Sequence, residues 1–307
     1  MTAVDINRGS SNVALPQEVS AEIWAKTIDE SAFMQLARKI AIPGPGVTVQ
    51  TITGEPVADW VDETEAKPVS THTFGKKAIK PYKLAVIEPF SNEFKRDKAA
   101  LYAECVARLP KALGKKFDTT IMGTTAPGTG FDVLGSCTKV SLLPDSTNGI
   151  TEYDRFVAVD SNIAAAGGIM DGIALAPQGK SILLGAKDGQ GRPLFTAGVE
   201  ANSISAILGA KTLVNKGVYV AGTAATQSAA GVPAIVGIAG DFEDAVWGSV
   251  EGIQMSISDQ AAIVDSNSNV IYLWQQNMFA VRFEIEVAFA VKSASEFNLL
   301  TGATPSA

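Results

Sequence analysis

The sequence is poor in the residues from which catalytic and metal sites are built. Among 307 residues it has one histidine, His72, and two cysteines, Cys105 and Cys137. Two thiols cannot form a disulfide framework or a four-thiolate metal site, and their scarcity is typical of a protein made in a reducing cytosol. His72 lies in a polar stretch, where a solvated side chain is favoured over a Ser-His-Asp relay. We therefore predict no cofactor, no metal and no enzyme's catalytic set.

Long apolar runs and an excess of positive charge are also missing. No run of 18 apolar residues occurs, so neither a membrane span nor a membrane partner is expected. The polar first residues show no apolar region typical of a signal peptide. The 25 Lys and Arg against 32 Asp and Glu leave a net charge of −7, which argues against nonspecific nucleic-acid binding. With 46% apolar and 19% charged residues, the composition is that of a globular protein.

The stretch 51–88 is polar and divides into two limbs of opposite charge. The outgoing limb carries Glu55, Asp59, Asp62, Glu63 and Glu65, and the returning limb carries Lys76, Lys77, Lys80 and Lys83. We predict a long two-stranded arm in which the limbs pair antiparallel and place opposite charges across from each other. Because few of its residues could bury a core, the arm is expected to find its partners in neighbouring chains.

Two other segments have a strong periodicity. Residues 97–120 predict one long amphipathic helix, because apolar residues recur there at every fourth position. The repeating positions are Leu101, Cys105, Leu109, Leu113 and Phe117. Over residues 281–291, six apolar residues alternate with other residues in period two, which predicts a long strand.

From residue 151 the sequence alternates between short helical and strand patterns. Helices are predicted over 151–166 and 180–184, and strands over 172–176, 212–214, 218–220, 234–239, 252–257 and 270–273. Before the arm, a helical piece that begins near Ser31 is predicted to include Ile40. Residues 138–148 are expected to form a solvated loop.

Two short motifs suggest ligand chemistry, and both are incomplete. Gly179-Lys180-Ser181 resembles the end of a phosphate-binding P-loop, but Ala174 occupies the place of the first glycine, and Pro177 removes an amide donor. The acidic run 59–65 lacks the ligand spacing of a calcium-binding loop, so a solvated face is the better interpretation. Neither motif defines an enzyme class.

Six short patterns along the chain occur in an order that is typical of one protein family. They are Leu15-Pro16-Gln17-Glu18-Val19, the stretch from Trp60 to Lys67-Pro68, the long helix closed near Gly123, Gly191-Arg192-Pro193-Leu194-Phe195, Gly240-Asp241-Phe242 and Asn277-Met278. In this order the chain resembles the Hong Kong 97-like major capsid proteins of tailed double-stranded DNA bacteriophages. Residues 209–211 lack the proline that the family usually shows there.

The resemblance implies an α+β capsid fold divided into five parts. They are an N-terminal arm with short helices (1–50), an extended hairpin called the E-loop (51–88), a peripheral domain with a spine helix (89–150), a mainly axial domain (151–275) and a closing strand with the C-terminal segment (276–307). It also implies a structural protein of the virion capsid, made in the host cytoplasm, that forms hexamers and pentamers around double-stranded DNA without reading its sequence. The further partners implied are a portal and separate scaffolding or decoration proteins. Because only a short stretch precedes Leu15, a scaffold would be a separate protein or would be absent.

Some members of this family link their subunits by an isopeptide bond between a lysine of the E-loop and an asparagine of a neighbour, assisted by a glutamate. The matching residues here would be Lys67, Asn277 and, in the catalytic role, Glu284. On one strand Asn277 and Glu284 would face opposite sides, roughly 23 Å apart. Such a site would therefore form only where subunits meet. The alternative is a solvated Lys67, an Asn277 at the edge of a strand and a Glu284 that faces outward, with no crosslink.

Two alternatives remain for the function of the chain. The shell protein of an encapsulin-like nanocompartment, which resembles the same fold, would enclose an enzyme cargo instead of a genome. A soluble P-loop hydrolase would use Gly179, Lys180 and Ser181 to bind nucleotide.

Overall fold

The computed structural model of this chain describes residues 27, 31–54, 57–61, 67, 69–145, 147–187, 190–192, 194, 207–226, 230–264 and 268–305. The helices are α1 (Ala32–Leu36), α2 (Asn92–Asp97), α3 (Ala99–Ile121), α4 (Glu152–Ala165) and α5 (Pro177–Gly185). The strands are β1 (Arg38–Ala41), β2 (Val47–Gly54), β3 (Thr73–Ile79), β4 (Tyr82–Ser91), β5 (Thr138–Ser141), β6 (Gly172–Leu175), β7 (Lys211–Val214), β8 (Ile235–Gly240), β9 (Ala245–Ser249), β10 (Gln254–Ser258), β11 (Ala262–Val264), β12 (Val270–Tyr272), β13 (Met278–Val291) and β14 (Phe297–Thr301).

The first sheet is built around β13, the strand that the alternating pattern predicted. β4 pairs with one edge of β13, while β9 and β10 share the other edge, and β1 adds to β9 in parallel. Val281, Phe283 and Ile285 are buried, and Arg282, between the first two, is exposed. The period of two thus places the apolar side chains on the face that α3 covers.

The second sheet has the order β5-β14-β8-β6-β7 and is covered on both faces. Ile173 and Leu175 pack with the buried residues of α4 and α5, while Ala174, between them, joins the cluster that contains α3. Strands buried on both faces have no polar alternation, and every residue of β6, β8 and β14 is buried. Residues 241–244 and 292–296 connect this sheet to the first one.

Helix α3 confirms the predicted long amphipathic helix. Leu109, Leu113, Phe117 and Ile121 form its buried stripe, each four residues from the next. At 23 residues and about 1.5 Å per residue, it is a rod roughly 35 Å long. Among the described residues, neither this helix nor another has the apolar length that crossing a membrane requires.

A buried carboxylate on α3 fastens the short helix α1 to it. Asp118 is fully buried, and it accepts hydrogen bonds from the Ser31 hydroxyl (2.5 Å) and from the backbone N–H of Ala32 (2.8 Å) and Phe33 (3.4 Å). Ser31 caps α1 through the N–H of Met34. The contact holds Phe33 in the core, 5.6 Å from the ring of Phe289 on β13.

The short elements correct several of the sequence predictions. The helix that starts at Ser31 ends at Leu36, and Ile40 lies in β1. Residues 218–220 do not form a strand, because Val218 ends a 3-10 turn, Lys216–Val218, and Val220 pairs with Ile235 as an isolated bridge. The expected solvated loop over 138–148 begins with β5 and contains the fully buried Leu142. The predicted helices at 151–166 and 180–184 are confirmed as α4 and α5.

We predict that Asp118→Ala loosens α1 and destabilises the fold. The substitution leaves a buried hydroxyl and two N–H groups without their acceptor, which should cost about 3 kcal/mol of unfolding free energy. Chemical denaturation of the purified variant measures this loss. The matched control is Asp160→Ala, an exposed carboxylate on α4 that should change stability by less than about 0.5 kcal/mol. Equal effects of the two substitutions would contradict the role of Asp118.

Candidate functional site

The predicted arm exists as an antiparallel hairpin, but Lys76 and Lys77 of its returning limb lie opposite uncharged residues. Strands β2 and β3 are antiparallel, with Gln50 opposite Lys76 and Val49 opposite Lys77. Lys83 lies beyond the hairpin on β4, with its Nζ 3.5 Å from Glu286. The prediction that these lysines face the acidic limb is therefore wrong for all three. Of the acidic residues, Glu55, Asp62, Glu63 and Glu65 lie outside the described residues.

The base of the arm is anchored to the first sheet by charge and by burial. Lys77 Nζ lies 2.6 Å from Asp132 Oδ2, and it also donates to the backbone carbonyl of Val291. The same carboxylate accepts from the N–H of Val291 at 2.9 Å. Ile79, at the end of β3, is buried in a small cluster with Ile42, Ala288 and Ala290. Lys77 and Ile79 thus tie β3 to β13.

Two glycines allow the backbone to pass closely at this base. Gly46 precedes β2 with φ at +89°, and a Cβ there would lie 2.5 Å from the carbonyl oxygen of Ile79. Gly130, with φ at +84°, accepts from the N–H of Lys80 at 3.0 Å. A side chain at either glycine would strain the backbone and displace the arm.

The far end of the arm exposes apolar side chains. Trp60 is 100% exposed, Val69 is 93% exposed and Val57 is 76% exposed. The two limbs meet there through the N–H of Val57, which donates to the Ser70 hydroxyl at 2.8 Å. Lys67 is exposed in the same region, beyond the β2–β3 ladder. This combination of an indole and valines on a polar arm is typical of a surface that another chain covers.

Asn277, the predicted crosslinking asparagine, lies at the point where β4 and β13 meet. It precedes β13 with φ at +53°, a left-handed conformation that asparagine tolerates. Its side-chain Nδ2 donates to Glu93 Oε1 at 2.5 Å, and its Oδ1 accepts from Asn92 Nδ2 at 2.8 Å. The N–H of Asn92 also donates to the backbone carbonyl of Asn277 at 3.1 Å.

Glu284 lies well away from Asn277 in the same chain. It pairs with Ala85 on one side and Gln254 on the other, seven residues along from Asn277, or about 23 Å at the rise of a strand. Its side chain is 18% exposed, and its Oε1 lies 3.5 Å from Arg282 Nε. The structure thus places Asn277 and Glu284 apart within one chain.

The segment that resembles a P-loop is part of a helix. Gly179, Lys180 and Ser181 lie inside α5, where the N–H of Lys180 donates to the carbonyl of Ala176, so this segment is no phosphate-binding loop. Gly179 instead allows close packing, since a Cβ there would lie 2.6 Å from the carbonyl oxygen of Val236. In the part of the chain that the structure describes, no three His, Cys, Asp or Glu residues form a group that could hold a metal ion.

Comparison with solved structures identifies the fold. A chain from Mycobacterium phage Adephagia matches with a TM-score of 0.70 and 18% identity, over 90% of this chain and 91% of that one. A chain from Mycobacterium phage Ogopogo gives a TM-score of 0.70 at 20% identity, over 89% and 92%. The fold is therefore the Hong Kong 97-like phage capsid fold that the sequence predicted.

The sequence comparisons identify the family. The model of the phage capsid family matches residues 11–302, and this chain belongs to that family. The "Probable major capsid protein gp17" of Mycobacterium phage L5 is 33% identical over 304 residues, which cover 94% of this chain and 89% of that protein.

The structure adds Asn92 and Glu93 to the candidate site, and the sequence alone did not suggest them. They stand 185 and 184 residues from Asn277, and only the register of β4 on β13 brings them together. One local signal was present, because Ser91 is a good cap for the helix that Asn92 begins. That signal places α2 but says nothing of what the helix contacts.

We predict that Lys77→Glu releases the arm from the first sheet. The reversed charge would face Asp132, and the loss of the ion pair and its hydrogen bonds should weaken the docking by about 1–2 kcal/mol. Hydrogen exchange of the β3 amides should then be faster. Lys76→Glu is the matched control, because Lys76 is exposed on the same strand. If both variants exchange alike, Lys77 is no anchor of the arm.

Proposed function

We propose that this chain is a major capsid protein that assembles with copies of itself into the shell of a tailed-phage head. Membership of the phage capsid family supports the proposal, as does the name of its mycobacteriophage relative. The structural observation that carries it is the arm. Its base is fixed to its own subunit by Lys77 and Ile79, while Trp60 and Val69 at the far end stay exposed, so their burial needs another subunit.

In this proposal the shell consists of hexamers and pentamers and encloses double-stranded DNA. The subunit's net charge of −7 suits a wall that surrounds nucleic acid without holding particular sequences. A portal and separate scaffolding or decoration proteins would be further partners. The protein would be made in the host cytoplasm and would remain in the virion.

We also propose that neighbouring subunits are joined by an isopeptide bond between Lys67 of one chain and Asn277 of another, assisted by Glu284. The exposure of Lys67 on the arm and of Asn277 at the end of β13 supports this, since both must be reached from outside their own subunit. The separation of Asn277 and Glu284 in one chain means that a glutamate in this role would come from a different subunit.

We predict that the purified protein forms closed shells and that Trp60→Ser lowers their yield while the subunit stays folded. Truncation of an exposed aromatic anchor commonly costs an interface about 2 kcal/mol or more. Electron microscopy and sedimentation measure assembly, and circular dichroism measures folding. Trp274→Ser, which changes a tryptophan that is 76% exposed outside the arm, is the matched control.

A wild-type chain that stays monomeric at high concentration would refute the assembly proposal, and an enzyme cargo in place of DNA would favour a nanocompartment.

We predict that denaturing gel electrophoresis of mature wild-type shells shows ladders above the 32.0 kDa chain. Lys67→Arg and Asn277→Asp should each remove the ladder, because they delete the nucleophile and the carboxamide. Glu284→Ala tests the role of the assisting glutamate. Mature shells that dissolve wholly into single chains would exclude the crosslink while leaving the capsid function standing.

A further inference from the structure

An apolar cavity opens to solvent at the base of the arm, between α3, β4 and the loop over residues 123–131. Its volume is about 450 Å³, which is within the range of protein pockets that hold a small molecule. Leu84, Phe117, Phe131 and Val287 form most of its wall. The cavity is therefore large enough and apolar enough to receive one aromatic side chain.

The rings that line the cavity hold one another in place. The ring of Phe131 lies 6.2 Å from that of Phe117 and 6.3 Å from that of Tyr82, edge to face in both cases. The Tyr82 hydroxyl donates to the carbonyl of Thr129 at 2.7 Å, which ties the loop to β4. Because these walls are already formed, an entering group would not have to order them, and its binding would be stronger for that reason.

The arm of the same chain does not fill this cavity. Gly130, the neighbour of Phe131 in the wall, accepts a hydrogen bond from the N–H of Lys80 at the base of the arm. From this base β2 leads away over eight residues, or about 26 Å, and Trp60 lies beyond the end of that strand. Trp60 is 100% exposed. An indole that enters the cavity would therefore come from another copy of the chain.

The cavity and the far end of the arm have opposite charges. Lys83 and Lys116 stand at the rim of the cavity, and both are exposed. Asp59 is exposed beside Trp60, and its carboxylate accepts from the N–H of Trp60 at 2.9 Å. Asp62 follows two residues after Trp60 in the sequence. A docked indole would thus bring a carboxylate to two amines, and charge complementarity of this kind selects a partner.

We propose that Trp60 of one subunit docks in this cavity of the next subunit, with Asp59 against Lys116. The inference rests on the shell function proposed above, and it names the surface that receives the arm. Because the cavity and the arm are different parts of one chain, each subunit donates one tryptophan and receives another. Such a head-to-tail contact repeats in one direction and closes into a ring when the rotation between copies allows it.

The first test locates Trp60 in assembled shells by photochemical crosslinking. The variant Trp60→benzoylphenylalanine carries a photoreactive ketone, and shells are built from a mixture of normal and heavy-isotope chains. After irradiation, mass spectrometry should find position 60 joined to residues 82–84 or 116–131 of a chain with the other isotope content. Trp274→benzoylphenylalanine, which labels an exposed position outside the arm, is the matched control and should not join these residues.

The reciprocal label asks what occupies the cavity. Thr125 lines the cavity and is exposed. In shells of Thr125→benzoylphenylalanine, the label should join residues 57–61 of another chain. A label that instead joins residues 1–26, or a second protein, would assign the cavity another occupant and overturn the inference.

The second test exchanges the charges at the contact. Asp59→Lys and Lys116→Glu should each lower the shell yield by about threefold or more at low ionic strength, where exposed charges are least screened. The double variant restores opposite charges and should recover most of the yield. Lys111→Glu is the matched control, because Lys111 is exposed about 140° around α3 from Lys116. Circular dichroism verifies that each variant subunit is folded.

The outcomes separate this inference from the shell function. Shells in which position 60 joins a different surface, joins its own chain or joins nothing would overturn the docking of Trp60 while assembly stands. A double variant that yields no more shells than the single variants would exclude the contact between Asp59 and Lys116. A wild-type chain that forms no shells would instead remove the proposed function on which the inference rests.

Discussion

The pairing of β13 along both of its edges is the constraint on which the rest of the molecule depends. β4 covers one edge, and β9 and β10 divide the other, so three separate regions of the chain must adopt compatible registers on one strand. Its apolar face receives α3 and, through Phe289, the ring of Phe33. Asn277 lies just before this strand, and the connection to the second sheet follows it.

This arrangement separates a well-packed body from an arm that extends beyond it. The body buries its apolar residues in clusters on either side of the second sheet and beneath α3. The arm has a two-stranded base docked on the body, and two strands alone are rarely stable in water. The base of the arm is therefore held in place by the ion pair of Lys77, by the burial of Ile79 and by the close backbone packing at Gly46. The far end has no such support from the described parts of its own chain, and assembly would supply it.

The sequence predicted the elements whose periodicity is long and several short apolar ones, such as β6 and β8, but it missed β9 and β14. Helix α3 and strand β13 were recognisable because their apolar residues repeat over many positions. Strand β14 was missed because its five residues are all buried and show no apolar–polar alternation. The same limit applies to the candidate site. Asn277 was suggested by resemblance, but its contact with Glu93 depends on a register between strands that no local pattern encodes.

The contrasting environments of the tryptophans give the protein an internal optical reporter. Trp247 is 1% exposed in the core of the body, whereas Trp60 at the far end of the arm is 100% exposed to water. An indole in water emits at longer wavelength than one in an apolar setting. Covering Trp60 would therefore shift its fluorescence to the blue and shield it from iodide, while the emission of Trp247 would stay constant. With Trp24 and Trp274 replaced by phenylalanine, the growth of a shell could be followed in time without any added dye.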